Sequence, residues 1–218
     1  MGKHPQKYKP GKFSPGENSD AILLYRGIKA EMPPSTGGVL FVDDLIHDIF
    51  SKPNPGLMSP VTARYSPREA VIRYDKLKAS EKRRELMDDH FAGERFYSVF
   101  VSATENEEEA AFFAASEEVQ GRWGLIVRFR HAGPFVRYTP RFSVKKYEEI
   151  LVVGGVEPES IEKVTLIGSG TNEPFTVHYI FRRMENGKIE KFRSPHPEKF
   201  HKLRNLRWSP ETFFSEQA

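Results

Sequence analysis

The chain contains no cysteine. That excludes disulfides, iron–sulfur clusters, thiolate zinc sites and a cysteine nucleophile. It leaves the compartment open, because a protein without thiols is indifferent to redox conditions. No apolar run approaches the ~18 residues of a membrane span, and the first 20 residues lack an apolar signal-peptide core. The expectation is a soluble chain with no membrane association. Charge of one sign is also scarce in the balance: 33 Lys and Arg face 30 Asp and Glu, for a net charge of +3.

That small excess is unevenly placed. Residues 1–19 hold Lys3, Lys7, Lys9 and Lys12 against Glu17, with Pro5, Pro10 and Pro15 between them. From Lys191 to Arg207, basic residues recur with Glu198 as the single acid. We therefore expect a basic flexible arm (1–19), a folded domain (20–194) and a basic C-terminal tail (195–218). Basic ends suit phosphate-rich partners or are simply solvated. Between them, 17 Phe, 8 Tyr and 2 Trp are far too many aromatics for a disordered chain, so the domain should have a packed core.

Periodicity and punctuation divide that domain. Ala21–Tyr25 is a short apolar run that reads as a buried strand. Val39–Phe50 has helical spacing. Ser66-Pro67-Arg68-Glu69 is a capping box opening a helix, with helical sequence continuing to about His90 and a break near Ser80. Phe96–Ser102 is β-rich. Thr104 to Glu107 is a second capping box, opening a helix through Ala115 in which at least one of Phe112 and Phe113 should be core. Trp123–Arg130 alternates, which predicts a strand buried on its Trp123, Leu125, Val127 and Phe129 side. Strands are expected at 149–153, 164–167, 175–184 and 188–192, the last two joined by a hairpin at Asn186-Gly187. Helices mostly precede strands, so the class is α+β.

Three local features carry chemistry. Arg26 ends a buried strand, where a guanidinium can clamp a phosphate or pair with a carboxylate, and Gly27 would let a ligand approach the backbone. Ser102 and Thr104 end another strand; such hydroxyls can fix a carboxylate or hold a ribose, although Thr104 is also the natural helix cap. Glu149 heads an apolar strand followed by Gly154-Gly155-Val156, and alternation puts Tyr147 on its side and Glu148 on the other. By itself, a carboxylate at that position more often marks a strand ending at the surface.

In this order the three features resemble the mono-ADP-ribosyltransferases of the arginine–serine–glutamate class, the group of cholera toxin, the heat-labile enterotoxins and the insect pierisins. Those enzymes carry an aromatic-Arg strand end, a Ser-Thr-Ser strand and a Glu-x-Glu or Gln-x-Glu strand followed by Gly-Gly-Ile. The matching positions here are Tyr25-Arg26, Ser102-Ala103-Thr104 and Glu149 with Gly154-Gly155-Val156. The loop from Met32 to Gly38 is also similar to the enterotoxin loop. The resemblance covers about residues 20–168.

The resemblance implies an ADP-ribosyltransferase-like fold: two small, mostly antiparallel sheets forming an NAD cleft, with helices concentrated in the N-terminal half. It implies that residues 20–194 are a catalytic domain that cleaves NAD, as co-substrate and without a metal, between nicotinamide and ribose. Glu149, Ser102 and Arg26 would be catalytic, and Arg26, Gly27, Ser102, Thr104 and Glu149 would bind NAD. A macromolecular acceptor follows, with protein favoured over nucleic acid. Tyr147 stands where the family has Glu or Gln, and a phenol of pKa about 10 is a poor base near neutrality. Arginine modification is therefore in question. Acceptor recognition would fall to Tyr147, Phe142 and Arg141, with Lys145 and Lys146 nearby. The family's toxins and effectors imply secretion or delivery into a target cell, and for a bacterial toxin an immunity protein as a further partner. The alternatives are an NAD glycohydrolase and a non-enzymatic nucleic-acid-binding module. His47, His90, His178, His196 and His201 show no ligand spacing.

Overall fold

Alternating apolar residues and tight turns build two antiparallel sheets. The computed structural model describes residues 12–16, 20–30, 46–79, 90, 97–114, 123–139, 149–168 and 176–193. Its strands are β1 (Lys12–Gly16), β2 (Ile22–Ala30), β3 (Phe100–Ala103), β4 (Trp123–His131), β5 (Phe135–Thr139), β6 (Glu149–Val153), β7 (Ile161–Gly168), β8 (Thr176–Arg183) and β9 (Ile189–Arg193). One sheet has the order β1-β5-β6-β3 and the other β2-β4-β7-β8-β9. The α+β class and the two antiparallel sheets are as expected.

Apolar side chains from both sheets meet in the main core. Leu24, Leu125, Val127 and Phe129 from the five-stranded sheet pack with Phe135, Ile150 and Val152 from the four-stranded one. Helices cover the outer faces. Helices α1 (Pro60–Arg64) and α2 (Pro67–Ala79) lay Val61, Ala70 and Tyr74 against Phe100, Leu151 and Val153 of the four-stranded sheet. Helix α3 (Glu107–Ala114) lays Ala110, Ala111 and Ala114 against Ile126 and Ile167 of the five-stranded sheet. The layers are thus helix, sheet, sheet, helix.

The Ser66 cap forms as expected, with Glu69 N–H donating to Ser66 Oγ at 3.1 Å. So does the Asn-Gly hairpin, where Gly187 has a φ of 79° and Met184 N–H donates to Lys188 O at 2.8 Å.

Several expectations change. The helices are not clearly concentrated in the N-terminal half: among the described residues β1 and β2 precede them, and α3 lies between β3 and β4. Residues 12–16 of the expected arm form β1, paired with β5. Pro15 is tolerated there because β1 is an edge strand and needs only one set of ladder bonds. Strand β4 is buried on both faces, since α3 covers Ile126. Neither phenylalanine of α3 is core: Phe113 is 61% exposed and Phe112 is half-buried. The helix sits so close to the sheet that its contact side is built from alanines. The tail from 195 onward lies outside the described residues.

Candidate active site

The two sheets meet at one seam. Strands β2 and β3 are edge strands of different sheets, and they are stitched together by Tyr25 N–H to Thr104 O (2.8 Å) and Thr104 N–H to Tyr25 O (2.9 Å). Arg26 follows immediately. Alternation along β2 puts it on the same face as Leu24 and Ile28, toward the intersheet core. Its Nε donates to Gly56 O at 2.6 Å and its Nη1 to Ser102 O at 2.5 Å. One guanidinium thus ties β2 to the Pro55–Leu57 turn and to β3. Arg26 and the main chain of Ser102, 76 residues apart in sequence, are in contact.

Glu149 opens β6, the neighbour of β3, and its side chain is 27% exposed. His90, which the sequence did not single out, fills the space between them. Its Nε2 lies 3.0 Å from Ser102 Oγ and 4.0 Å from Glu149 Oε1. Its Nδ1 lies 2.9 Å from Ser98 Oγ, and its ring sits edge-on to Phe100. Ser98 Oγ also accepts Phe100 N–H. The contacts span 12 residues to Ser102 and longer still to Glu149, so no local motif marks the histidine.

For Ser102 this is not the relay of a serine nucleophile. Such a relay needs the hydroxyl and the carboxylate on opposite ring nitrogens, whereas here both face Nε2. What the arrangement offers is a half-buried carboxylate with a hydroxyl-bonded imidazole 4.0 Å away. That is preorganised stabilisation for positive charge developing on a ligand.

The remaining candidates have other surroundings. Gly27 faces α3: a Cβ there would lie 2.1 Å from Ala110 O. The close approach expected of a ligand is made by the helix instead. Thr104 is buried, and its hydroxyl accepts Asn106 N–H (3.1 Å) and donates to Glu109 (2.6 Å). The residue capping α3 is Asn106, whose Oδ1 accepts Glu108 N–H at 2.8 Å. Thr104 sits too early for that role because its backbone is committed to Tyr25. Tyr147, Phe142 and Arg141, with Lys145, Lys146 and Glu148, lie outside the described residues.

The Gly-Gly turn after β6 acts as a buttress. Gly154 has a φ of 85° and Gly155 of 151°, and a Cβ on Gly155 would come within 2.7 Å of Leu57 O. Ser59 N–H donates to Gly154 O and Val156 N–H to Leu57 O. The turn therefore braces the same segment whose Gly56 carbonyl receives Arg26. A cavity of about 270 Å³ opens here, lined by Met58, Thr62, Tyr65, Gly154 and Val156 among others. It adjoins the end of β6 remote from Glu149.

Two electrostatic features frame the seam. The Arg137 guanidinium hydrogen-bonds Glu105 and holds its carboxyl below the usual range. Burial pushes the Tyr25 phenol up, and the nearby Glu107 carboxylate adds to it. Among the described residues, no group of three His, Cys, Asp or Glu could hold a metal, and no helix is long and apolar enough to cross a membrane. Comparison with protein-family models, curated proteins and solved structures gave no match.

Proposed function

We propose that the chain is a mono-ADP-ribosyltransferase of the toxin or effector type, which cleaves NAD and transfers ADP-ribose to a macromolecular acceptor. One observation supports the reading: Arg26 bonds the main-chain carbonyl of Ser102, and His90 lies between the Ser102 hydroxyl and the Glu149 carboxylate, so the three positions of the resembled motif are linked through β3. Nothing in their spacing along the chain demands that.

In this reading the Glu149 carboxylate stabilises the positive charge that grows on the ribose as its bond to nicotinamide breaks. The bonding electron pair leaves with nicotinamide. An acceptor nucleophile bonds to the ribose carbon and loses its proton. Ser102 and His90 hold Glu149 in place, and Arg26 fixes the seam against which the dinucleotide lies. Protein is the favoured acceptor. If water takes that place, the same site makes the protein an NAD glycohydrolase.

NAD labelled in its adenylate part, added to a cell lysate with the protein, tests the reading. Label on protein supports it as stated, and label on nucleic acid changes the acceptor class. Free ADP-ribose as the only product supports the glycohydrolase. No nicotinamide release overturns both.

A further inference from the structure

Alternation puts Phe100 and Ser102 on one face of the four-stranded sheet. Ser102 is in register with Leu151 of β6, and Glu149 lies two residues from Leu151 on that same face. It is the face covered by α1 and α2, opposite the intersheet core. His90 packs there, its ring edge-on to Phe100 with the centroids 5.9 Å apart. The His90 side chain is 14% exposed and that of Glu149 is 27% exposed. Water therefore screens a charge on either group only in part.

Three described groups face the imidazole. Ser98 Oγ lies 2.9 Å from Nδ1, Ser102 Oγ 3.0 Å from Nε2, and Glu149 Oε1 4.0 Å from Nε2. Strand β5 brings Tyr138, in register with Glu149, and α2 brings Tyr74, edge-on to Phe100. Phenols are uncharged across the range in which imidazoles titrate. Arg73 of α2 is engaged by Glu69 and by the Tyr65 ring. Among these described groups, Glu149 is the charge that a protonated ring would meet.

The surroundings suit both forms of the ring. A neutral imidazole has one donor and one acceptor nitrogen, and an imidazolium donates from both. Each nitrogen has a hydroxyl oxygen at hydrogen-bond distance, and a hydroxyl can give or accept. The cationic form gains the attraction of Glu149 in addition.

Resting on the NAD-cleaving reading, we infer that His90 is a pH-dependent brake on Glu149. While neutral, the ring leaves the full carboxylate charge to the ribose. When it takes a proton from solvent, the imidazolium pairs with Glu149 and offsets that charge where positive charge must grow. NAD cleavage therefore slows as pH falls through the histidine range. At this separation one charge is worth roughly tenfold or more in rate.

The test is nicotinamide release at saturating NAD by the full chain and by His90→Gln, from about pH 8.5 to about pH 5.5, with circular dichroism confirming the fold at each pH. Wild-type kcat should fall roughly tenfold or more along one ionisation, and that of His90→Gln by less than about twofold. His90→Asn gives the same comparison if His90→Gln does not fold. A flat wild-type profile, or a parallel fall in the variant, would overturn the inference and leave the NAD reading intact. No nicotinamide release by wild type at any pH would overturn that reading, and this inference with it.

Discussion

Arg26 donates from Nη1 to the main-chain carbonyl of Ser102, at 2.5 Å and across 76 residues. The contact joins the edge strands of the two sheets at the point where the candidate site opens. Lysine has one nitrogen and cannot reach both the Ser102 and the Gly56 carbonyls in a fixed fork. Arg26→Lys should therefore destabilise the fold by about 1–3 kcal/mol, read as a lower urea midpoint. An unchanged midpoint would show that the guanidinium does not hold the seam.

His90 is expected to act on Glu149 through position. His90→Ala should lower the rate of NAD cleavage by roughly 10- to 100-fold, within the range of a lost preorganising contact, while KM for NAD changes little. His90→Gln, which keeps an amide donor, should recover part of the rate. A rise in KM with kcat intact would instead assign the histidine to ligand binding.

Gly27 and Gly124 both lie beneath α3, and a Cβ at Gly124 would come 2.5 Å from Ala114 O. The obstacle is helix backbone, which cannot rotate aside. Gly27→Ala and Gly124→Ala should each cost about 1–3 kcal/mol or more, and the two should lose helical circular dichroism in parallel. A Gly27→Ala protein of normal stability with impaired NAD binding would return this glycine to the ligand site.

His131 is the last residue of β4, just before the short connection to β5 that links the two sheets. Burial holds its imidazole below the ordinary value of 6.5, and its contacts with the Pro134 and Gly133 backbone offset this only in part. The unfolded chain then binds the proton more readily than the folded one. Stability is full above 6.5 and falls as pH drops from there to the folded value. The urea midpoint should decrease between about pH 8 and about pH 5.5, and less so in His131→Gln. Equal decreases in both proteins would mean that His131 does not contribute.

Much of the architecture was legible because it rests on local signals. The alternation of Trp123–Arg130, the apolar run of Glu149–Val153 and the Asn186-Gly187 turn each point to one backbone conformation. What was not legible depends on contacts between distant segments. Asn106 caps α3 in place of Thr104 because Thr104 is bonded to Tyr25, a partner no local window contains. Gly27 read as a ligand-facing glycine because the sequence does not reveal that α3 packs there. His90 acquires meaning only once β3 and β6 lie side by side. Lys12–Gly16 read as an arm because lysine and proline disfavour a central strand, but an edge strand accepts them.

In the proposed function Glu149, beside Ser102 and His90, stabilises the ribose while NAD is cleaved. The most direct test is nicotinamide release from NAD by purified wild type and by Glu149→Gln, a substitution that keeps the shape and removes the charge. Steady release by wild type is expected, with a loss of roughly 10²–10³-fold in the variant and an unchanged unfolding midpoint. Equal release by the two proteins would contradict that role.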